Sequence, residues 1–262
     1  MVRALPAVSA FLLVVACGGS SGTDDPSTAE EETSFVEEGA DASAVEVDAQ
    51  LLVTSLVSSV EAQTFGDGVR TIFLPRTCVD VVNDAAARTA TYTFSGCLGP
   101  NGLRGVRGTL ETRYELATGS VALEVKAKGL VINGATTELD AKASIAVAGS
   151  NRTMTWDGSL VGTTAGGRDF QRKSALEVKW TLGEACYGLD GTSEGQVKKR
   201  EIRVTVDGYR RCKRGCPEAG GSISLTSVAR GRTVAIRYDG TNRASFTNAN
   251  GKESTVTLLC VP

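Results

Sequence analysis

Histidine is absent from this chain of 262 residues. That removes the Ser-His-Asp and Cys-His catalytic arrangements and every histidine-ligated metal centre at once. Aromatic side chains make up only 5 % of the residues, and proline occupies six positions, so base-stacking platforms and polyproline segments have little to build on. No apolar run reaches the ~20 residues that a membrane-spanning helix needs. The phosphate-binding motif is missing, because Gly251-Lys252 is followed by Glu253 rather than Ser or Thr. Asp239-Gly240-Thr241-Asn242 is too sparse in acids for a calcium loop. Lysine and arginine are missing from residues 18–50, which carry ten acids.

What is present points to a folded, exported β protein. Hydrophobic residues at 41 % and charged residues at 22 % suffice for a core, so wholesale disorder is excluded. Glycine fills 30 positions, above the ordinary share of about 7 %, and with so little proline it signals many turns. Residues 1–16 have the shape of a short secretory signal: Arg3, then an apolar stretch from Ala4 to Ala16. The sequence Val14-Val15-Ala16-Cys17-Gly18 resembles the bacterial lipobox. The resemblance implies a diacylglycerol on the sulfur of Cys17, cleavage before it and acylation of the new amine by chains such as palmitate. Two or three chains, at ~0.8 kcal/mol per buried CH₂, anchor stably. Gly18 is not Asp, which by the sorting rule of such lipoproteins implies the outer membrane.

Six cysteines remain: Cys78, Cys97, Cys186, Cys212, Cys216 and Cys260. An even number in an exported chain reads as three disulfides. A turn at Lys198-Lys199 places Cys186 opposite Cys212, and a turn within Asp84–Arg88 places Cys78 opposite Cys97. Cys216 is then left for Cys260. The competing map joins Cys212 to Cys216 and Cys186 to Cys260. A zinc site at Cys212-x-x-x-Cys216 lacks a second close ligand pair.

Residues 17–42 are polar, acidic and nearly free of apolar side chains, and read as a flexible tether. One helix follows. Ser43 and Glu46 have capping-box spacing, and Val45, Ala49, Leu52, Leu56 and Val60 form one apolar stripe ended by Gly66 and Gly68. It is expected to pack on a sheet, since its polar face lacks the bases of a membrane-surface helix. From Thr71 the apolar period becomes two, in runs such as Val121, Leu123, Val125, Ala127 and Leu139, Ala141, Ala143, Ile145. Turn signals at Gly99-Pro100-Asn101-Gly102, Asn133-Gly134, Gly149-Ser150, Asp190-Gly191 and Asn250-Gly251 separate them. The expected fold is mainly β: a long antiparallel meander of 11–14 strands after one N-terminal amphipathic helix. One helix cannot cover so many strands lying flat, so residues 43–262 form either a curled or partly closed sheet or two packed sheets divided near 164–172.

The run Thr91-Tyr92-Thr93-Phe94-Ser95-Gly96-Cys97, with Asn101-Gly102 and Ile132-Asn133-Gly134, resembles exported bacterial lipoproteins built as long antiparallel meanders. Gly208-Tyr209-Arg210-Arg211-Cys212 through Cys216-Pro217 is similar to cysteine-containing tails of the myxobacterial type among them. This resemblance implies no activity. Arg237-Tyr238-Asp239-Gly240 looks like one YD-type repeat, but a single copy cannot stack, so it reads as a hairpin signal.

Residues 51–262 carry a formal charge of +7, so an acidic arm precedes a basic body. The bases concentrate as Lys198, Lys199, Arg200 and Arg210, Arg211, Lys213, Arg214, at opposite ends of one hairpin. They are candidate anion-binding residues, with three readings: solvated strand ends, an anionic envelope polysaccharide, or docking of the protein's own acidic arm. Nucleic acid does not fit, since aromatics are not interleaved. The pairs Glu111 with Glu115 and Glu138 with Asp140 have the residue type for glycoside hydrolysis, but alternate with bases as cross-strand pairs do. The expectation is therefore a non-enzymatic, lipid-anchored envelope protein without cofactor or metal, touching the membrane through its N-terminal lipid. A curled sheet around a helix also looks like the half-barrel carriers of lipoprotein traffic, which implies an apolar ligand in a cavity between helix and sheet.

Overall fold

A computed structural model describes residues 26–57, 62–212, 215–248, 250–258 and 260. The signal segment, Cys17, Val60, Lys213 and Arg214 lie outside the described residues. A long helix, α1 (Pro26–Leu56), and a one-turn helix, α2 (Val69–Ile72), precede thirteen strands. These are β1 (Val79–Asp84), β2 (Thr89–Cys97), β3 (Val106–Ala117), β4 (Ser120–Ile132), β5 (Ala135–Ala148), β6 (Asn151–Thr163) and β7 (Asp169–Thr181). They continue as β8 (Tyr187–Val197), β9 (Arg200–Arg211), β10 (Ser222–Ser227), β11 (Arg232–Tyr238), β12 (Arg243–Thr247) and β13 (Glu253–Thr257).

All thirteen strands form one antiparallel sheet in sequence order, β1 to β13, and the sheet is not closed. Short hairpins force this order, because consecutive antiparallel strands pair where the turn leaves them. Asn133 and Gly134 both take positive φ, 51° and 84°, as a two-residue hairpin turn requires. The sheet runs unbroken through 164–172: β6 and β7 pair from Asn151↔Thr181 to Thr163↔Asp169. Each strand sends one face inward. In β5, Leu139, Ala141, Ala143 and Ile145 are buried while Glu138, Asp140, Lys142 and Ser144 are exposed. Arg70 of α2 donates to the carbonyl of Val81 at 2.7 Å, which occupies a backbone acceptor on the edge strand β1.

The sheet curls around α1, which touches β4, β8 and β13. Two expectations about this helix are corrected. It starts at Pro26, not Ser43, so 26–42 is helix rather than tether. It is also not amphipathic along its length. Val45, Val47, Ala49, Leu51, Leu52 and Val53 are all buried, together with Glu46, Asp48 and Gln50 between them, because the curled sheet and α2 both pack on the helix. Ser43 is thus mid-helix, and its Oγ donates to the Gly39 carbonyl at 2.8 Å instead of capping. The helix ends at Leu56, ahead of Gly66 and Gly68.

Three disulfides join Cys78–Cys97, Cys186–Cys212 and Cys216–Cys260, with Cα separations of 5.3, 4.1 and 5.1 Å. Two of them depend on irregularities in the ladders. Beside its turn the β8–β9 hairpin sets Val197 opposite Arg200, a register that carries Cys186 to Arg211. A bulge between Leu189 and Gly191 shifts the count by one, so Tyr187 faces Arg211 and Cys186 reaches Cys212. The Asp190-Gly191 pair is therefore inside β8, where Asp190 faces the two bulged residues Asp207 and Gly208 of β9, and is not a turn between strands. Val79 likewise faces Phe94, so the β1–β2 ladder leads Cys78 to Ser95. An irregularity between Ser95 and Cys97, with Gly96 at φ 82°, brings Cys97 inward instead.

Candidate functional site

The acidic arm of the sequence is bound by the protein's own sheet. Reading along α1, Glu31 pairs with Arg230 and Glu32 with Arg232. Glu38 receives Lys198 at 3.0 Å and Arg200 at 3.3 Å. Arg168 pairs with Asp41 and, at 3.3 Å, with Glu37. Asn133 donates to Asp48 at 2.7 Å. These partners sit on or beside the β10–β11, β8–β9, β6–β7 and β4–β5 turns, which lie on one rim of the sheet. The helix therefore crosses successive hairpins in reverse order. Hairpins two strands apart are about 10 Å from one another, and seven helical residues rise about 10 Å, so carboxylates spaced along one face meet base after base.

Deeper in, the charges are enclosed. Arg172, 1 % exposed, lies 3.5 Å from Glu46 and donates to Ser43 Oγ at 3.1 Å and Ser193 Oγ at 3.2 Å. Trp156 Nε1 donates to Ser174 Oγ at 3.1 Å in the same region. Burial pushes the Glu46 carboxyl up against the pull of Arg172, and it pushes Arg172 down. Arg211 donates to Asp48 at 2.6 Å. Burial draws the Arg211 pKa down, but Asp48, Tyr187 and Tyr209 outweigh that and hold it above the ordinary value. Burial also raises Asp41, in spite of Arg168.

Two cavities flank the helix among the described residues. One of about 330 Å³ opens at its N-terminal end, lined by Glu31, Phe35, Lys199, Arg200, Arg230 and Arg232 among others. The second, of about 320 Å³, lies farther along, among Asp41, Ser43, Asp48, Arg168, Tyr209 and Arg211. The side chains of α1 from Val45 to Val53 are buried against the body.

The predicted anion-binding residues divide accordingly. Lys198, Lys199 and Arg200 come together at the β8–β9 turn, where Lys198 and Arg200 serve Glu38 and Lys199 is exposed. Arg211 points inward to Asp48, while Arg210, its neighbour, points outward, as alternation along a strand demands. Glu111, Glu115, Glu138 and Asp140 all lie on the outer face. Asp140 faces Lys126 across strands at 3.6 Å, and Lys126 in turn faces Glu111.

Arg168, Arg172, Arg230 and Arg232 are absent from the predicted set. Arg172 had a signal in the sequence: it occupies an inward position in the alternation Phe170, Arg172, Ser174, Leu176, Val178. The other three stand at turns, where an isolated base gives no sign of its partner. Comparison of the chain with family models, with curated proteins and with solved structures finds no match.

Proposed function

We propose that the protein is a lipid-anchored module of the bacterial outer membrane, held through Cys17, that acts by binding or as a structural element rather than by catalysis. One observation carries the reading. The six cysteines of the body are all consumed in three disulfides, which makes the lipobox cysteine the odd one of seven. Disulfides belong to oxidising compartments, and a cysteine at that position in a signal-like segment is the acceptor of lipid. The enclosed charges fit the non-catalytic part of the proposal, because Glu46, Asp48, Arg172 and Arg211 are tied to one another across the helix–sheet boundary. Glu37, Asp41, Asp48, Arg168 and Arg211 stand in the lining of the 320 Å³ cavity beside α1, and these charges favour this reading over a lipid carrier.

Expression in a Gram-negative host with labelled fatty acid tests the anchor. The wild-type chain is expected to take label and to accumulate as a precursor under globomycin, and Cys17→Ser to do neither. Unlabelled, globomycin-insensitive wild-type protein overturns the assignment.

A further inference from the structure

The rim that holds the N-terminal half of α1 carries six bases: Arg168, Lys198, Lys199, Arg200, Arg230 and Arg232. Facing them from the helix are Glu31, Glu32, Glu37, Glu38 and Asp41. We propose that this rim is a binding site for an anionic polysaccharide, guarded in cis by the first half of α1, whose carboxylates the polymer displaces.

The array is linear. Its bases lie on three hairpin turns of one rim, each about 10 Å from the next, which suits a chain of charges better than one small anion. Five of the six bases also remain reachable while the helix is docked, Arg168 being only 22 % exposed. The side chains of Lys198 and Arg230 are 54 % and 59 % exposed, and those of Arg200 and Arg232 are 35 % and 36 % exposed. The 330 Å³ cavity opens between Phe35 of the helix and four of these bases. A carboxylate or sulfate can therefore engage a guanidinium before the helix carboxylate has left, and exchange proceeds group by group.

The two halves of α1 differ in what holds them. Residues 45–56 are clasped by apolar burial and have no reason to leave. Residues 30–38 contribute Phe35 and Val36 to the core but otherwise depend on ion pairs. Alone, that stretch is a poor helix, because its acids have no bases at i±3 or i±4. Gly39 stands between the halves as a weak point for helix continuity. Displacement returns residues 26–38 to an extended, acidic chain. If Cys17 is lipidated as proposed above, the chain between anchor and body then gains residues 26–38, which at ~3.5 Å per residue add up to about 46 Å of reach.

The test uses the soluble, disulfide-intact Cys17→Ser protein and hydrogen–deuterium exchange read by mass spectrometry, with heparin as the anionic polymer and neutral dextran as control. Heparin is expected to lower amide protection over 30–38 by roughly tenfold or more and to leave 45–56 unchanged. The effect should fade as salt rises. Lys199→Glu/Arg230→Glu, with an unchanged circular dichroism spectrum, is expected to bind heparin roughly tenfold more weakly. Failure of heparin to bind, binding without loss of protection at 30–38, or loss of protection over both segments together each overturns the proposal. None of these readouts involves lipid, so a failed Cys17 assignment leaves them standing and removes only the lengthened tether.

Discussion

Replacing Glu46 by Gln tests whether the buried pair between helix and sheet holds the two together. Gln keeps the shape and removes the charge. Arg172, 1 % exposed, is then left with Ser43, Ser193 and the Gly39 carbonyl but no counter-charge. Stranding one member of a buried pair is worth about 3–5 kcal/mol. In a domain of this size each kcal/mol moves the melting temperature by about 2–4 °C, so Glu46→Gln should melt roughly 6–20 °C below wild type. Arg172→Met should be milder and pH-dependent. The Glu46 carboxyl, already pushed up by burial, takes a proton once Arg172 is gone, and the loss should shrink as the solution is acidified toward pH 5. No such relief exists for Glu46→Gln, since the guanidinium does not titrate there. The double variant Glu46→Gln/Arg172→Met should recover most of the loss and show coupling of about 2 kcal/mol or more. Urea unfolding of the disulfide-intact Cys17→Ser background gives all four corners of the cycle. Two single variants that each lose less than about 1 kcal/mol, and add in the double, refute the argument.

Asp48→Asn should lose about 3 kcal/mol in the same assay, because it strands Arg211, which is 5 % exposed; a loss within the range of surface substitutions would show Arg211 satisfied by other groups. Asp41 has a folded pKa raised by burial, so the stability it contributes is complete below its unfolded value near pH 4 and is lost as pH rises through the folded value. The difference in melting temperature, wild type minus Asp41→Asn, should accordingly fall between pH 4 and pH 7, and a difference that grows with pH contradicts this sign. Opening Cys216–Cys260 with a pair of serines removes a cross-link across 44 residues, for which chain entropy predicts a loss of about 4 kcal/mol. Non-reducing peptide mapping should recover all three cross-links, and a Cys212–Cys216 peptide would disprove the connectivity.

Fold class was legible because β alternation is local. Each run of the type Leu139, Ala141, Ala143, Ile145 records which face of a strand is buried, and the Gly and Asn turns between runs dictate that neighbours in sequence pair in space. The same reasoning reached Cys186–Cys212, but the bond forms because a bulge at Asp207-Gly208, opposite Asp190, shifts the ladder, and no pattern in the sequence predicts that. The start of α1 was not legible at all. Acids without bases, and few apolar residues, read as solvated chain over 17–42, because helix propensity and amphipathicity count only what lies within a few turns. The sheet decides otherwise. Arg168, Arg200, Arg230 and Arg232 stand roughly 130–200 residues away in sequence and meet the helix only after thirteen strands have curled, so the counter-charges that make 30–42 a helix exist in the tertiary structure alone. Composition could show that an acidic arm precedes a basic body; that the body closes on the arm follows from the curvature of the sheet.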